Sequence, residues 1–580
     1  MAAAIPGLDL ITNYKRAWFR PDLIAAIVLT TLLVPQGMAY AELAGLPAVT
    51  GLYATVASLV GYAAFGPSRI LVIGPDSSLA PLIAAAVLPL AAGDQEVAVT
   101  MAAALAVFTG AACILAGVVR AGTIAELLSR PVRVGLINGI ALLVLVSQLP
   151  KLFGFSIPPM GFVDGIVAFR DGLADGQTVP GSLLLGVGSI LVIVACQRWW
   201  PKVPGVLVAV VAATAVCQLL GLDESGVALV GPLPSGVPVP SWPALSWDQY
   251  LALGGGALAV ALVTFADTSA LSSVFSVRRG EVVDPNKEAI GLGVANVAAG
   301  LLSGFPTSAS SSRTAVADSV GARSQMAGLM AAAGVLLVML VGGGLLALLP
   351  SSVLAAVVIA ATMSLFDVAT MRWLWNARRS DFVLALITFL AVPLLGVLEG
   401  LVVAIVLSLG NFVRLAWRPH VAVLGRVNGR KGYHDLERHP EGVQVPGLLI
   451  FRFDAPLFFA NARYFVGEVE RAIAAAPTKV RWLMIAAEPI TDVDTTGAEV
   501  LESLLDDLEG RQIILGIAEL KGPAKDRLKD YGLFDRIGED RFFSTLGTAV
   551  HAYVEDAGVE WTDWTEDADA DHDDEVRDSQ

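Results

Sequence analysis

Residues 304–314 read GFPTSASSSRT, a run of hydroxyls that closes on Arg313 inside one of the most apolar stretches of the chain. A charge near a bilayer midplane costs roughly 2.5–3.5 kcal/mol on insertion scales unless it faces protein, water or a partner. The design occurs twice. SRILVIGPDSSLAPL at 68–82 and LLSGFPTSASSSRTAV at 301–316 each run from a short extended apolar piece, through Gly and Pro, into small hydroxyl residues that open a short helix. Both interrupt what would otherwise be a series of long continuous helices.

That series fills most of the chain. Of 580 residues 55% are hydrophobic and 16% charged, and the mean hydropathy is +0.69, values outside the range of a soluble domain. Between Asp22 and Trp417 apolar runs recur at about 17–25 residues, the length that crosses a hydrocarbon core. Breaks at Pro, Gly and charge clusters predict fourteen helices or half-helices, at 22–42, 47–65, 76–91, 98–118, 130–149, 182–199, 204–221, 249–273, 285–303, 308–319, 325–348, 351–366, 380–396 and 398–417. Lys15, Arg16 and Arg20 precede the first run, which lacks a small-residue cleavage site and reads as a spanning helix rather than a removable signal. With that end inside, the cytoplasmic connections hold basic residues such as Arg69, Arg130, Arg133, Arg278, Arg279 and Arg323, and the opposite ones little beyond Lys151 and Arg170. Both termini are then cytoplasmic, which requires an even number of crossings.

The two interrupted segments are third in each set of seven, and seven is odd, so the halves form an inverted 7+7 repeat. Paired interruptions at matching places mark a transporter site. Non-helical backbone survives at membrane depth only where protein buries it or a wet cavity faces it. Two half-helix N-termini aimed at one point present unpaired N–H groups and positive dipole ends, which suits an anion. Ser77 and Ser78 open one half-helix; Ser308, Ser310, Ser311 and Ser312 open the other and can cap or donate. Arg313 adds a charge able to grip an oxyanion with two parallel bonds. Gln36 and Tyr40, four apart and so on one face of the first span, are neutral donors suited to an anion's oxygens, or else glue between helices. Asp267, in the middle of the eighth span, calls for a cation or a proton; Arg313 is its natural partner, and proton coupling is favoured over sodium because Leu271 stands where a further oxygen ligand would be wanted.

These stretches resemble the SulP (SLC26-like) anion permeases: VPQGMAYAELAGLPAVTGLYA at 34–54, GPDSSLAP at 74–81, GFPTSASSSRTAVAD at 304–318, and VPGLLIFRFDAPLFFANARYF at 445–465, the last similar to the start of that family's STAS domain. The resemblance implies core and gate parts that move by an elevator-like shift, a homodimer, anion contacts from Gln36, Tyr40, Ser78, Ser310 and Arg313, and a coupling acid at Asp267, where relatives often carry Glu. The function it implies is secondary transport of a small inorganic oxyanion, sulfate first, across a bacterial plasma membrane with protons; bicarbonate or chloride transport, or a STAS-based sensor or scaffold, are the alternatives. A nucleobase permease would want carboxylates in both halves of the site, where the tenth segment supplies Arg313 and serines.

The expected domains are a cytoplasmic segment 1–21, a transport domain 22–417, a linker 418–444, a cytoplasmic STAS domain 445–554 and an acidic disordered tail 555–580. GLLIFRF, VRWLMIAAE and QIILGIAEL read as strands, alternating with two amphipathic helices, a small α/β sandwich. Thr495 and Thr496, after Asp494, resemble a phosphorylation loop, a candidate site for a cytoplasmic partner, or are simple helix caps. The tail carries twelve acidic residues and one arginine, most of the net charge of −15, so no basic patch for nucleic acid is present. The three cysteines lie in apolar runs and all five histidines beyond the last one, which leaves no metal or cofactor pattern and no enzyme motif.

Overall fold

The computed structural model describes residues 13–121, 129–157, 161–200, 203–232 and 239–561. The tail beyond 561 and the first twelve residues lie outside them. The chain divides into two units, Met1–Ser408 and Leu409–Gln580.

The first unit is helical. Its helices are α1 (Phe19–Leu43), α2 (Ala48–Phe65), α3 (Ala80–Ala91), α4 (Gln95–Val118), α5 (Arg130–Phe153), α6 (Phe162–Ala174), α7 (Pro180–Trp199), α8 (Gly205–Leu219), α9 (Trp247–Arg279), α10 (Pro285–Leu301), α11 (Ser311–Ser319), α12 (Met326–Val341), α13 (Gly343–Ala347), α14 (Ser351–Met363), α15 (Val368–Ala377), α16 (Arg379–Leu395) and α17 (Val397–Trp417), the last crossing into the second unit. A helix stands on each of the fourteen apolar segments. The additions are α6 and α15, in connections read as loops, and α13, split from α12 at Gly342. Among the described residues eight helical stretches are long and apolar enough to cross a bilayer, with shorter apolar helices at Ala80–Ala91, Gly205–Leu219 and Met326–Val341. This is a multi-pass membrane protein.

Packing repeats when one set of seven segments is exchanged for the other. α1 packs on α12 as α9 packs on α4; α2 on α12 as α10 on α4; α5 on α16 as α14 on α7; α1 on α11 as α9 on α3. Close crossings among these are made by small residues: a Cβ on Gly293 would lie 2.6 Å from the Gly110 carbonyl oxygen, and one on Gly110 2.5 Å from that of Gly293. Without a hydrophobic drive between helices in lipid, such backbone approach is what dispersion attraction requires.

The two interrupted segments meet. β1 (Ile73–Gly74) pairs antiparallel with β2 (Ser308–Ala309), Ile73 opposite Ala309 and Gly74 opposite Ser308. Pro75 and Pro306 each stand five residues before the half-helix that follows, and a proline favours extended backbone at the residue before it.

The second unit carries a six-stranded sheet in the order β4-β3-β5-β6-β7-β8: β3 (Val421–Arg426), β4 (Tyr433–Asp435), β5 (Leu448–Phe453), β6 (Trp482–Ala486), β7 (Ile514–Ala518) and β8 (Phe542–Phe543). β5 to β8 run parallel and β3 antiparallel to β5. Helices α18 (Ala462–Ala475), α19 (Thr495–Gly510), α20 (Gly522–Asp530), α21 (Leu533–Ile537) and α22 (Leu546–Ala557) complete it. Two boundaries differ from the sequence expectation. The stretch 418–444 is not a linker, because β3 and β4 form a hairpin whose first strand pairs with β5. The last helix runs to Ala557, so Glu555 and Asp556 belong to it and not to a tail.

Candidate functional site

The extended pieces that precede the half-helices have their backbone groups met by side chains from neighbouring helices. Asn296 on α10 donates to the Thr307 carbonyl at 3.0 Å and accepts from the Thr307 N–H at 2.8 Å. Gln325, just before α12, donates to the carbonyls of Ser68 and Leu71, each at 2.9 Å. Thr314 accepts from the Val72 N–H at 3.1 Å, and the Ser310 N–H donates to the Val72 carbonyl at 3.1 Å. The broken backbone is thereby held inside protein, the condition for its survival at membrane depth.

Onto this frame the starts of α3 and α11 bring the functional side chains. Ser310 is the N-cap of α11 and makes no side-chain cap bond; its hydroxyl lies 3.3 Å from that of Ser312. Ser77 and Ser78 occupy the turn before α3 and are buried, whereas Ser311 is exposed. The first N–H groups of such half-helices have no acceptor within the helix. Arg313 follows, its side chain 1% exposed. Its Nε, Nη1 and Nη2 have no hydrogen-bond partner in the protein. The guanidinium lies over Gly74, where a Cβ would be 3.2 Å from Nη1. A buried cation that makes no hydrogen bond is an expensive arrangement, and a negative group supplied from outside relieves it.

Tyr40 on α1 is buried with Ser77 in hydrogen-bonding range, Asp76 and Arg313 being the charges that act on it. Gln36, one turn earlier, is buried on the same helix. Asp267 on α9 is partly exposed and forms no ion pair with Arg313; Asp76, Arg133 and Ser78 are the groups near enough to act on it. The carboxylate that faces Arg313 is Asp76, with Oδ1 3.9 Å from Nη2. Its other oxygen accepts from the Ser78 N–H at 3.1 Å and the Ser78 hydroxyl at 2.7 Å. Sequence reasoning weighed GPDSS for its serines and passed over this aspartate. Thr495 and Thr496 stand apart, in the second unit at the start of α19, where the cap is Asp494: its Oδ1 accepts from the Gly497 N–H at 2.7 Å.

A second carboxylate was also missed. Glu288 on α10 is 1% exposed and accepts from Tyr62 at 2.5 Å and from Ser272 at 2.8 Å, joining α10 to α2 and α9. Hydrogen bonds to such a group contribute about 1.5–3 kcal/mol each. Glu288→Ala is expected to lower the melting temperature of the purified protein in detergent, by a destabilisation of about 3 kcal/mol, and Glu288→Gln to restore most of it. Equal melting of Glu288→Ala and wild type would contradict the buried contact. Elsewhere, a cavity of about 450 Å³ is lined by Trp18, Arg69, Arg279, Glu281, Asp318, Gly321 and Arg323. Arg279 and Asp318 pair there at 2.7 Å and Arg69 and Glu281 at 3.8 Å, so two of its three arginines already face carboxylates.

The sulfate permease family matches residues 19–388, all of α1 to α15 and the whole constellation around Arg313, and the STAS domain matches 439–549. The chain belongs to the sulfate permease family. A probable sulfate transporter of Mycobacterium tuberculosis (strain CDC 1551 / Oshkosh) is 41% identical over 548 residues, 94% of this chain and 98% of that protein. Mouse solute carrier family 26 member 10 is 31% identical over 588 residues, 95% of this chain and 86% of that one. Among solved structures, the murine solute carrier 26 family member A9 anion transporter in its inward-facing state superposes with a TM-score of 0.86 at 24% identity, covering 94% of this chain and 93% of that one. The family consists of transporters and not enzymes, and this permease has their fold with a STAS domain in its second unit.

Proposed function

We propose that this permease is a secondary transporter carrying a small inorganic oxyanion, sulfate first, across a bacterial plasma membrane together with protons. The observation that carries the reading is Arg313, buried beside the paired extended pieces that lead into the two half-helices, with three nitrogens that make no hydrogen bond to the protein. N–H dipoles, the hydroxyls of Tyr40, Ser77, Ser78, Ser310 and Ser311, and the Gln36 amide would complete the anion's shell, and Asp267 would take the coupling proton. The sulfate preference rests on the likeness to the mycobacterial probable sulfate transporter.

The exchange symmetry of the helix packing supports fourteen spans in a 7+7 repeat, an odd number per half makes the repeat inverted, and the distribution of basic residues supports both termini being cytoplasmic. The packing also supports two bodies, α1–α4 with α9–α12 against α5, α7, α8, α14 and α16, that slide as core and gate in an elevator motion. A homodimer, and a cytoplasmic partner read through Thr495 and Thr496, belong to the same proposal.

Uptake of radiolabelled sulfate or bicarbonate into proteoliposomes, with and without an inward proton gradient, tests it. Sulfate uptake stimulated by the gradient is expected; uptake of bicarbonate alone would transfer the substrate assignment. Asp267→Asn is expected to bind sulfate with a weakened stimulation, and stimulation equal to wild type would remove Asp267 from the coupling step.

A further inference from the structure

Asp76 is, among the described residues, the carboxylate within ion-pair distance of Arg313, Oδ1 to Nη2 being 3.9 Å. Ser78 holds its other oxygen through both N–H and hydroxyl, and the guanidinium nitrogens make no hydrogen bond to it. An oxyanion bonded to Nη2 at the usual distance of about 2.8 Å therefore stands less than about 7 Å from a second negative charge. The Asp76 side chain is 15% exposed, so water screens the pair only in part. Two like charges in one site are resolved by protonating one of them.

We propose that Asp76 is a proton site tied to anion occupancy: a divalent oxyanion settles at Arg313 only when the Asp76 carboxylate has taken up a proton. This deepens the transport reading and rests on it. Proton uptake then begins at the binding step, on the first interrupted segment, and adds to the proton assigned to Asp267. One proton leaves solution and joins a carboxylate oxygen of Asp76, and no other bond breaks. Ser78 makes the change local. Its single hydroxyl hydrogen is donated to Asp76 in the structure, with Asp267 also in its range. Once Asp76 is protonated, the Ser78 oxygen can accept from it, freeing that hydrogen for Asp267 or for an oxygen of the anion.

The groups facing this pair come from four helices. They are Arg313 on α11, Asp267 on α9, Tyr40 on α1, a neutral donor beside Ser77, and Arg133 on α5. The anion adds its own repulsion, larger for sulfate than for a monovalent ion, so Asp76 also discriminates by charge.

Titration calorimetry of the full-length protein with sulfate, in two buffers of different ionisation enthalpy, counts the protons taken up per anion. Asp76→Asn is expected to take up about one fewer than wild type. Its sulfate affinity should also lose the fall of about tenfold per pH unit that one linked proton imposes above the pKa of the unliganded carboxylate. Asp76→Glu should keep that fall. Asp267→Asn should keep it too. Asp76→Asn taking up as many protons as wild type overturns the inference. If wild type binds no oxyanion at all, the transport reading falls, and this inference falls with it; sulfate binding by wild type separates the two failures.

Discussion

Arg313→Ala should abolish sulfate uptake while leaving the protein at least as stable as wild type. Truncating one partner of a buried, hydrogen-bonded charge pair costs about 2–5 kcal/mol, and each 1.4 kcal/mol is about tenfold in affinity, so sulfate binding should weaken by a factor of thirty to several thousand. The stability half is what separates an anion site from a structural arginine. A guanidinium 1% exposed whose nitrogens make no hydrogen bond, with Asp76 as its ion-pair partner only at 3.9 Å, gains too little attraction to exceed its desolvation cost, so its removal is expected to leave stability unchanged. Arg313→Lys keeps a charge but loses the planar fork, and should recover part of the affinity. Uptake assays and a melting curve on the same preparations decide it. Wild-type uptake in Arg313→Ala, or a large drop in its melting temperature, would each remove Arg313 from the anion's shell.

Much of this architecture was legible because membranes leave few choices for backbone. A span needs about 20 apolar residues and a broken one must have a reason, so GPDSS and FPTSASSSRT announced themselves against continuous helices, and β1 and β2 do pair. The sequence could not show which carboxylate faces which cation. Asp267 lies mid-span and drew attention by its depth, yet the half-helix start at 76–78 places Asp76 nearer to Arg313. A short polar residue at a half-helix start is ordinary, so Asp76 carried no signal of its own beside the serines that follow it. Asn296 and Gln325 were visible as polar residues in or beside apolar runs, but their partners are backbone groups of segments whose path only the fold reveals. The hairpin inside 418–444 did carry a signal. VAVLGRV and YHD flank NGRKG, two runs around a glycine turn, and the charged turn made the stretch look like a linker. Helices α6 and α15 are short, with Asp164, Arg170 and Asp171 on one and Arg372 on the other, so hydropathy alone gives no helix there.

The second large effect is expected from a methyl group. A Cβ on Gly51 of α2 would lie 1.9 Å from the carbonyl oxygen of Gly37 on α1 and 2.5 Å from its carbonyl carbon. Neither atom belongs to a side chain that can rotate away, so the two helices must separate by more than 1 Å to reach an ordinary contact of about 3.5 Å. Overpacking of this kind costs about 1–3 kcal/mol. It also acts on function, because Gly37 sits between Gln36 and Tyr40 on α1, and Tyr40 reaches Ser77 beside Asp76 and Arg313. Moving that turn displaces neutral donors relative to the guanidinium, and a misplacement of about 1 Å can cost about a hundredfold in a preorganised site. Gly51→Ala should therefore lower both the melting temperature and sulfate uptake, with Gly51→Val more severe. Gly188→Ala on α7, where a Cβ meets nothing within 4 Å, should change neither. If Gly51→Ala melts and transports like wild type, α1 and α2 do not touch through their backbones, and Gln36 and Tyr40 lose the support that places them at the anion.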